Sequence, residues 1–272
     1  MTTIKYRFSF KYNRIIGIDH TRVDDQKIAE YIYREISTHE REIDPPVKIE
    51  SILSLDKLLD DIIADAKLNR SIPILIFDGH GTKKGLSIGD EIYQWENLCI
   101  RLREINILTK NNLVVLFASC YSSAIYQNII SLSDVTPFYY SFAPLEKISQ
   151  SEISTIITKV ITGIISGNGS DEFVGDSTEK LVIYSSEKYL YKIFCILKSE
   201  TTSSKKFHLW TNEFIDNARS LLAREIDIDV NALRQDFKKN GKNLKPIFNS
   251  YMDSFLMASD SENHARYMNN FT

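Results

Sequence analysis

Two apolar runs, each broken off by glycine or small polar residues, constrain this chain more than anything else in it. Ile74-Leu75-Ile76-Phe77 runs into Asp78-Gly79-His80-Gly81. Leu113-Val114-Val115-Leu116-Phe117 runs into Ala118-Ser119-Cys120-Tyr121-Ser122-Ser123. Each reads as a short strand with an abrupt carboxyl end. In an α/β sheet, ligands and substrates sit beyond the carboxyl ends of the parallel strands. One strand delivers His80 to that edge and the other delivers Cys120, which is the pair a cysteine nucleophile needs.

A free thiol, with a pKa of about 8.5, is mostly protonated at neutral pH, so an imidazole must take its proton or stabilise the thiolate. The same imidazolium can then protonate a leaving amine. Glycines at 79 and 81 allow the backbone to approach where a side chain would block it. The N–H groups of Gly81 and Cys120 are the candidates for an oxyanion hole. The competing reading is that His80 and Cys120 are ordinary core residues at strand ends, since cysteine often behaves as a small hydrophobe. The flanking small residues argue against it.

The rest of the chain alternates strand and helix patterns. Ile4 to Tyr12 alternates polar and apolar residues as a strand does, and Arg14 to Ile18 reads as a second strand. Asp24 or Asp25 is placed to cap a helix running through Ala29, Ile32 and Ile36. Val47 to Ile52 reads as a strand and Leu53 to Leu68 as a helix with Leu55, Leu58, Leu59, Ile62 and Ile63 as its apolar residues. Gly85 to Ile92 reads as a small hairpin and Trp95 to Ile105 as a helix. Ala124 to Leu132 is expected to form a helix just past Cys120, its positive end favouring a thiolate. Phe138 to Ala143 and Ser151 to Ile165 read as a further strand and helix. This alternation predicts an α/β fold with a mostly parallel sheet flanked by helices on both faces.

Beyond Ile165 the pattern changes. Ser166 to Ser177 is loop-like in composition, suited to a processing site, an activation loop or a specificity lid as much as to a merely disordered segment. Leu181 to Tyr184 and Tyr189 to Leu197 read as a closing strand pair. Thr201 to Lys206 is the expected linker between a domain at 1–200 and a helical C-terminal extension at 201–272, where Phe207, Trp210, Phe214, Ala218, Leu221 and Leu222 share a face. Asn240-Gly241 and Lys245-Pro246 break the helices that follow. The basic residues Lys238, Lys239, Lys242 and Lys245 read as a solvated face.

Composition narrows the function classes. The 272 residues are 43% hydrophobic and carry a net charge of −3, which offers no general attraction to nucleic acid or anionic membranes. No run reaches the ~18 apolar residues of a spanning helix, and Lys5 and Arg7 are followed by no apolar stretch of a secretory leader. Three cysteines at scattered spacing point to a reducing, cytoplasmic setting rather than a disulfide framework. Cys99 and Cys195 fall on apolar faces and are expected to pack. No Cys and His set has metal-ligand spacing, so a metal is not expected, and chemistry by a thiol and an imidazole needs no cofactor. His39, His208 and His264 have no motif around them; His20 alone lies near a predicted strand end.

Phe77 to Gly81 and Ala118 to Ser123 resemble the His-Gly and Cys motifs of the caspase-like (clan CD) cysteine peptidases. The flavour is that of the CHAT-domain and metacaspase-like bacterial types, and the resemblance covers about residues 1–197. It implies a caspase-hemoglobinase-like fold and an endopeptidase, with Cys120 as nucleophile and His80 as general base and acid. The substrate would be an exposed, extended protein segment, and the setting regulated cell death or antiviral defence. It also implies that the loop after the first strand shapes the P1 pocket, making Arg22, Asp24 and Asp25 candidates. Tyr140, Ser141 and Phe142 become candidates for a substrate groove that pairs a peptide by strand addition. The chain departs from the family twice. Ala118 stands where metacaspases carry an acidic residue, and Ala143 follows Tyr140-Ser141-Phe142 where caspases carry arginine, so strict aspartate specificity is not expected. Two rival readings are an inactive caspase-like interaction module and a zymogen that stays closed until a protein partner engages residues 207–272.

Overall fold

The structure, a computed structural model, describes residues 10–37, 43–129, 134–166, 180–186 and 251–267. Its strands are β1 (Arg14–His20), β2 (Val47–Lys48), β3 (Pro73–Gly81), β4 (Gly85–Ile88), β5 (Glu91–Gln94), β6 (Val114–Ala118), β7 (Tyr140–Pro144) and β8 (Leu181–Ser185). Its helices are α1 (Ile28–Ile36), α2 (Ile52–Asn69), α3 (Trp95–Leu108), a 3-10 turn of helix at Ser122–Asn128, α4 (Gln150–Ile165) and α5 (Ser261–Tyr267). The main sheet runs β2-β1-β3-β6-β7-β8. All its neighbours are parallel except β7 and β8. This is an α/β architecture with a mostly parallel, helix-flanked sheet.

The two apolar runs lie side by side at its centre. Ile74 pairs with Val114 and the register holds through Phe77–Phe117 to Asp78–Ala118. Every residue from Ile74 to Asp78 and from Val114 to Ala118 is buried, as parallel strands covered on both faces must be. Alternate side chains go to opposite faces. Phe77 stacks on Phe117, and the Trp95 ring of α3 meets Phe117 edge-on. On the opposite face Asp78 reaches the start of α1, which packs with α4, while α2 packs with α3.

Local signals explain several boundaries. Ser51 and Ser54 form a reciprocal capping box at the start of α2, and Arg70 ends it in the left-handed region at φ 56°. Gly89 takes φ 57°, the left-handed value a two-residue hairpin turn between β4 and β5 favours. Two boundaries differ from expectation. β2 is only two residues long, because β1 offers it partners only at Ile18 and Asp19. The segment after Cys120 is a 3-10 helix over Ser122–Asn128, not the regular helix expected over Ala124 to Leu132; residues 130–132 of that expectation lie outside the described residues.

The amino end of the sheet is closed by asparagines and by the chain's last described residues. Asn106 Nδ2 donates to Asn111 Oδ1 and to the Thr136 carbonyl, and Asn111 Nδ2 donates to the Phe255 carbonyl. Tyr251, Met252, Phe255 and Leu256 join the same hydrophobic core as the strands. Arg266 donates to Asn112 Oδ1 at 3.0 Å and lies 4.7 Å from the Tyr139 ring centre. So residues 251–267, expected in a helical extension, seat against the end of the sheet opposite His80 and Cys120. The expected first strand residues 4–9, the loop from Gly167 to Ser177, the strand from Tyr189 to Leu197 and the helices around Phe207 to Leu222 lie outside the described residues.

Candidate active site

His80 and Cys120 leave the sheet at matching heights. Each stands two residues beyond the last β3–β6 pair, Asp78–Ala118. The strands approach closely there: a Cβ on Gly81 would collide with the Cys120 carbonyl oxygen and lie 3.2 Å from Ser119 Cβ. Glycine at 81 therefore lets the histidine loop lie against the cysteine turn. Gly79, at φ 153°, is required for a second reason. A Cβ there would stand 2.5 Å from His20 Nδ1, inside the ring that covers it.

Among the described residues the His80 ring has one hydrogen-bond partner. Its Nε2 lies 2.8 Å from Asp25 Oδ2, with the imidazole 42% exposed and the carboxylate 19% exposed. Asp25 Oδ2 also accepts the Arg22 N–H at 2.7 Å. Burial raises the Asp25 pKa, but the bonds from Arg22, His80 and Gln150 outweigh it, and the net shift is downward. An ionised Asp25 accepts a hydrogen bond from Nε2–H, which places the ring proton on Nε2 and leaves Nδ1 of the neutral ring as the basic nitrogen. Asp25 was expected to cap α1 or shape a pocket. It does not cap α1, whose flanking residue Lys27 makes no side-chain cap; Asp78 does that from the neighbouring strand, accepting the N–H groups of Ala29, at 2.8 Å, and Ile28.

Cys120 sits in a tight turn. Tyr121, directly after it, is left-handed at φ 58°, a conformation that costs a non-glycine residue about 1 kcal/mol or more. Ser122 Oγ donates back to the Ser119 carbonyl at 2.9 Å and the Tyr121 N–H reaches the Glu146 carbonyl. The Cys120 thiol is partly exposed and points to the Ile148 carbonyl, 3.7 Å away. The site is thus walled by the end of β3, the turn after β6, the loop before α1 and the start of α4. Cys99, by contrast, is buried, and desolvation pushes its thiol up to about 12.

Beneath this rim lies a buried polar layer. Asp19 and Asp78 are paired on neighbouring strands. Asp19 accepts the Thr21 N–H and hydroxyl and the Lys48 ammonium, and these together hold its pKa down despite burial. For Asp78 burial dominates the helix N–H bonds and raises its pKa to about 7. The signal for Asp78 was in the sequence, as an acid inside an apolar strand run. Gln150, Ile148 and Lys48 carried none.

The other sequence candidates separate cleanly. Arg22 and Asp24 are exposed on the loop that carries Asp25, beside the site. Tyr140, Ser141 and Phe142 are buried in β7, which is paired on both sides by β6 and β8. They cannot accept a substrate strand, and they lie opposite Val114 to Leu116, well below the rim. Their side chains belong to the core: Tyr140 packs on Phe142, and the Tyr126 hydroxyl meets Ser141. Cys195, His39 and His208 lie outside the described residues. Among the described residues no group of three His, Cys, Asp or Glu side chains is placed to hold a metal, and no helix is long and apolar enough to cross a membrane. Compared with protein-family models, curated proteins and solved structures, the chain gives no match.

Proposed function

We propose that this protein is a cysteine hydrolase of the peptidase type, with the caspase-like arrangement its motifs resemble. The observation that carries the reading is the placement of His80 and Cys120 at matching heights beyond paired parallel strands, with Asp25 bonded to Nε2 of the imidazole. In this reading His80 Nδ1 takes the thiol proton, and the Cys120 thiolate attacks the scissile carbonyl. The N–H groups of Gly81 and Cys120 hold the oxyanion. His80 then protonates the leaving amine, and water releases the acyl-enzyme. Asp25 keeps the ring in the reactive tautomer and stabilises the imidazolium. The substrate is an extended protein segment, and with Ala143 in place of an arginine its P1 residue is not restricted to aspartate.

One contact must break before the thiol can meet the imidazole. The thiol's hydrogen bond runs to the Ile148 carbonyl, not to the imidazole. A modest shift of the loop before α4 would release it. The test is the iodoacetamide labelling rate of Cys120, read by mass spectrometry against Cys99 and Cys195 in the full chain. Selective labelling near neutral pH that slows in His80→Ala supports the reading. Three cysteines of equal, sluggish reactivity would replace it with an interaction module.

A further inference from the structure

The row directly beneath the rim holds a second histidine. His20 pairs with Gly79 across β1 and β3, and one step beyond the Asp78–Ala118 pair Ser119 follows on β6. The three residues therefore line up across neighbouring strands, on the face opposite Asp78. His20 is 4% exposed and Ser119 is 2% exposed. The His20 ring lies on the bare Cα of Gly79, and its Nδ1 meets the Ser87 carbonyl at 3.1 Å. A carbonyl only accepts, so Nδ1 carries the proton and Nε2 is a bare acceptor. Burial lowers the His20 pKa to about 4, so the ring stays neutral.

Two atoms in this row meet no hydrogen-bond partner among the described residues, His20 Nε2 and Ser119 Oγ. One is an acceptor and the other carries a donor proton. They stand on the same face, on either side of a residue with no side chain. Two strand spacings, about 10 Å, separate their backbones, and the imidazole extends over the glycine between them. A buried polar atom left without a partner costs about 1–3 kcal/mol, so a complementary pair in one row has a strong drive to close.

We propose that one enclosed water bridges Ser119 Oγ to His20 Nε2, and that this link is a positioning device for the cysteine turn. It ties the residue before Cys120 to the end of β1. Through Ser87 it also ties that turn to β4, whose pairing with His80 fixes the histidine loop. His20 and Ser119 touch no substrate. They hold the Cys120 N–H and the His80 backbone in one frame. The positioning role rests on the proposed hydrolase function; the hydrogen bond does not.

The test begins on the wild-type full chain, with nitrogen-15 NMR of labelled histidines. His20 is expected as the Nδ1–H tautomer, with its Nε2 resonance displaced from that of a free imine nitrogen by an accepted hydrogen bond. An Nε2 at the free imine position overturns the link. Ser119→Ala is then expected to move that resonance to the free position and to slow Cys120 labelling about tenfold, a fraction of what a full ångström of misplacement costs. If the resonance moves but labelling does not, the link stands and the positioning role falls. If Cys120 is unreactive in the wild type while the resonance still responds to Ser119→Ala, the hydrolase reading fails and the link survives it.

Discussion

Two histidines stand at the carboxyl ends of neighbouring strands, and the same ring is put to opposite uses. His80 is half exposed and bonded through Nε2 to a carboxylate. His20 is buried and bonded through Nδ1 to a carbonyl. The partner decides which nitrogen keeps the proton, so the two rings are held in opposite tautomers. Exposure decides whether the ring can change charge at all. His80 stands partly exposed beside Asp25; His20, desolvated and without a carboxylate bond, is held neutral down to about pH 4. The histidine proposed to react and the buried one differ here by one residue along the sheet.

The comparison breaks first at His80. His80→Ala is expected to slow Cys120 alkylation about 10²-fold or more, the contribution of a positioned base, while the buried Cys99 labels no differently. Equal rates in the two proteins would remove the functional contrast. The next effect is on stability and has a definite sign. The folded His20 pKa lies near 4, below its ordinary 6.5, so the unfolded chain takes up the proton first as pH falls. Stability from this residue is complete above pH 6.5 and declines between 6.5 and 4, by about 3 kcal/mol at 1.4 kcal/mol per unit. Urea unfolding across that window should show this loss in the wild type and lack it in His20→Phe.

Asp78 runs the other way. Its folded pKa of about 7 lies above the ordinary 3.8. Its contribution is complete below pH 3.8 and is lost as pH rises through 7. Asp78→Asn keeps an acceptor for α1, so the variant should gain stability relative to wild type on going from pH 5 to pH 8. A constant difference across that range would contradict the buried, protonatable carboxyl. Gly81→Ala tests the close approach itself. The added Cβ meets the Cys120 carbonyl, and a loss of about 1–3 kcal/mol is expected, as for other overpacked sites. The smallest effect is at Asp25. Asp25→Asn should slow labelling about tenfold and leave the unfolding midpoint nearly unchanged, because the pair is partly solvated.

The motifs were legible because their signal is local. An apolar run that stops at glycine announces a buried strand with a bare end, and both runs became the central strands. The Asp25–His80 contact was not legible, since it joins residues 55 apart in the chain and the same aspartate reads equally well as a helix cap. The reading of Tyr140, Ser141 and Phe142 failed for a related reason. An aromatic-polar-aromatic pattern identifies a strand, but only the antiparallel β8 on its far side shows that β7 has no free edge. The helix after Cys120 came out as a 3-10 turn beginning at Ser122. Its serines favour local backbone bonds over a regular helix, as Ser122 does with Ser119.

Residues 251–267 extend the same lesson to the opposite end of the sheet. Nothing in their amphipathic pattern names the surface they cover. Asn111 donates to the Phe255 carbonyl and Asn112 accepts from Arg266. Polar groups at a buried strand start must be satisfied, and this chain uses a segment 144 residues away to do it.

By itself the sequence determined the class of fold, the order of its strands and helices, and the delivery of an imidazole and a thiol to one edge. These follow from hydrophobic period and backbone freedom, which act over a few residues. Only the tertiary structure decided which aspartate faces His80, which histidine stays neutral, where the thiol points and which strands are closed to a substrate. Those outcomes depend on register and burial, and both are properties of neighbours distant in the chain.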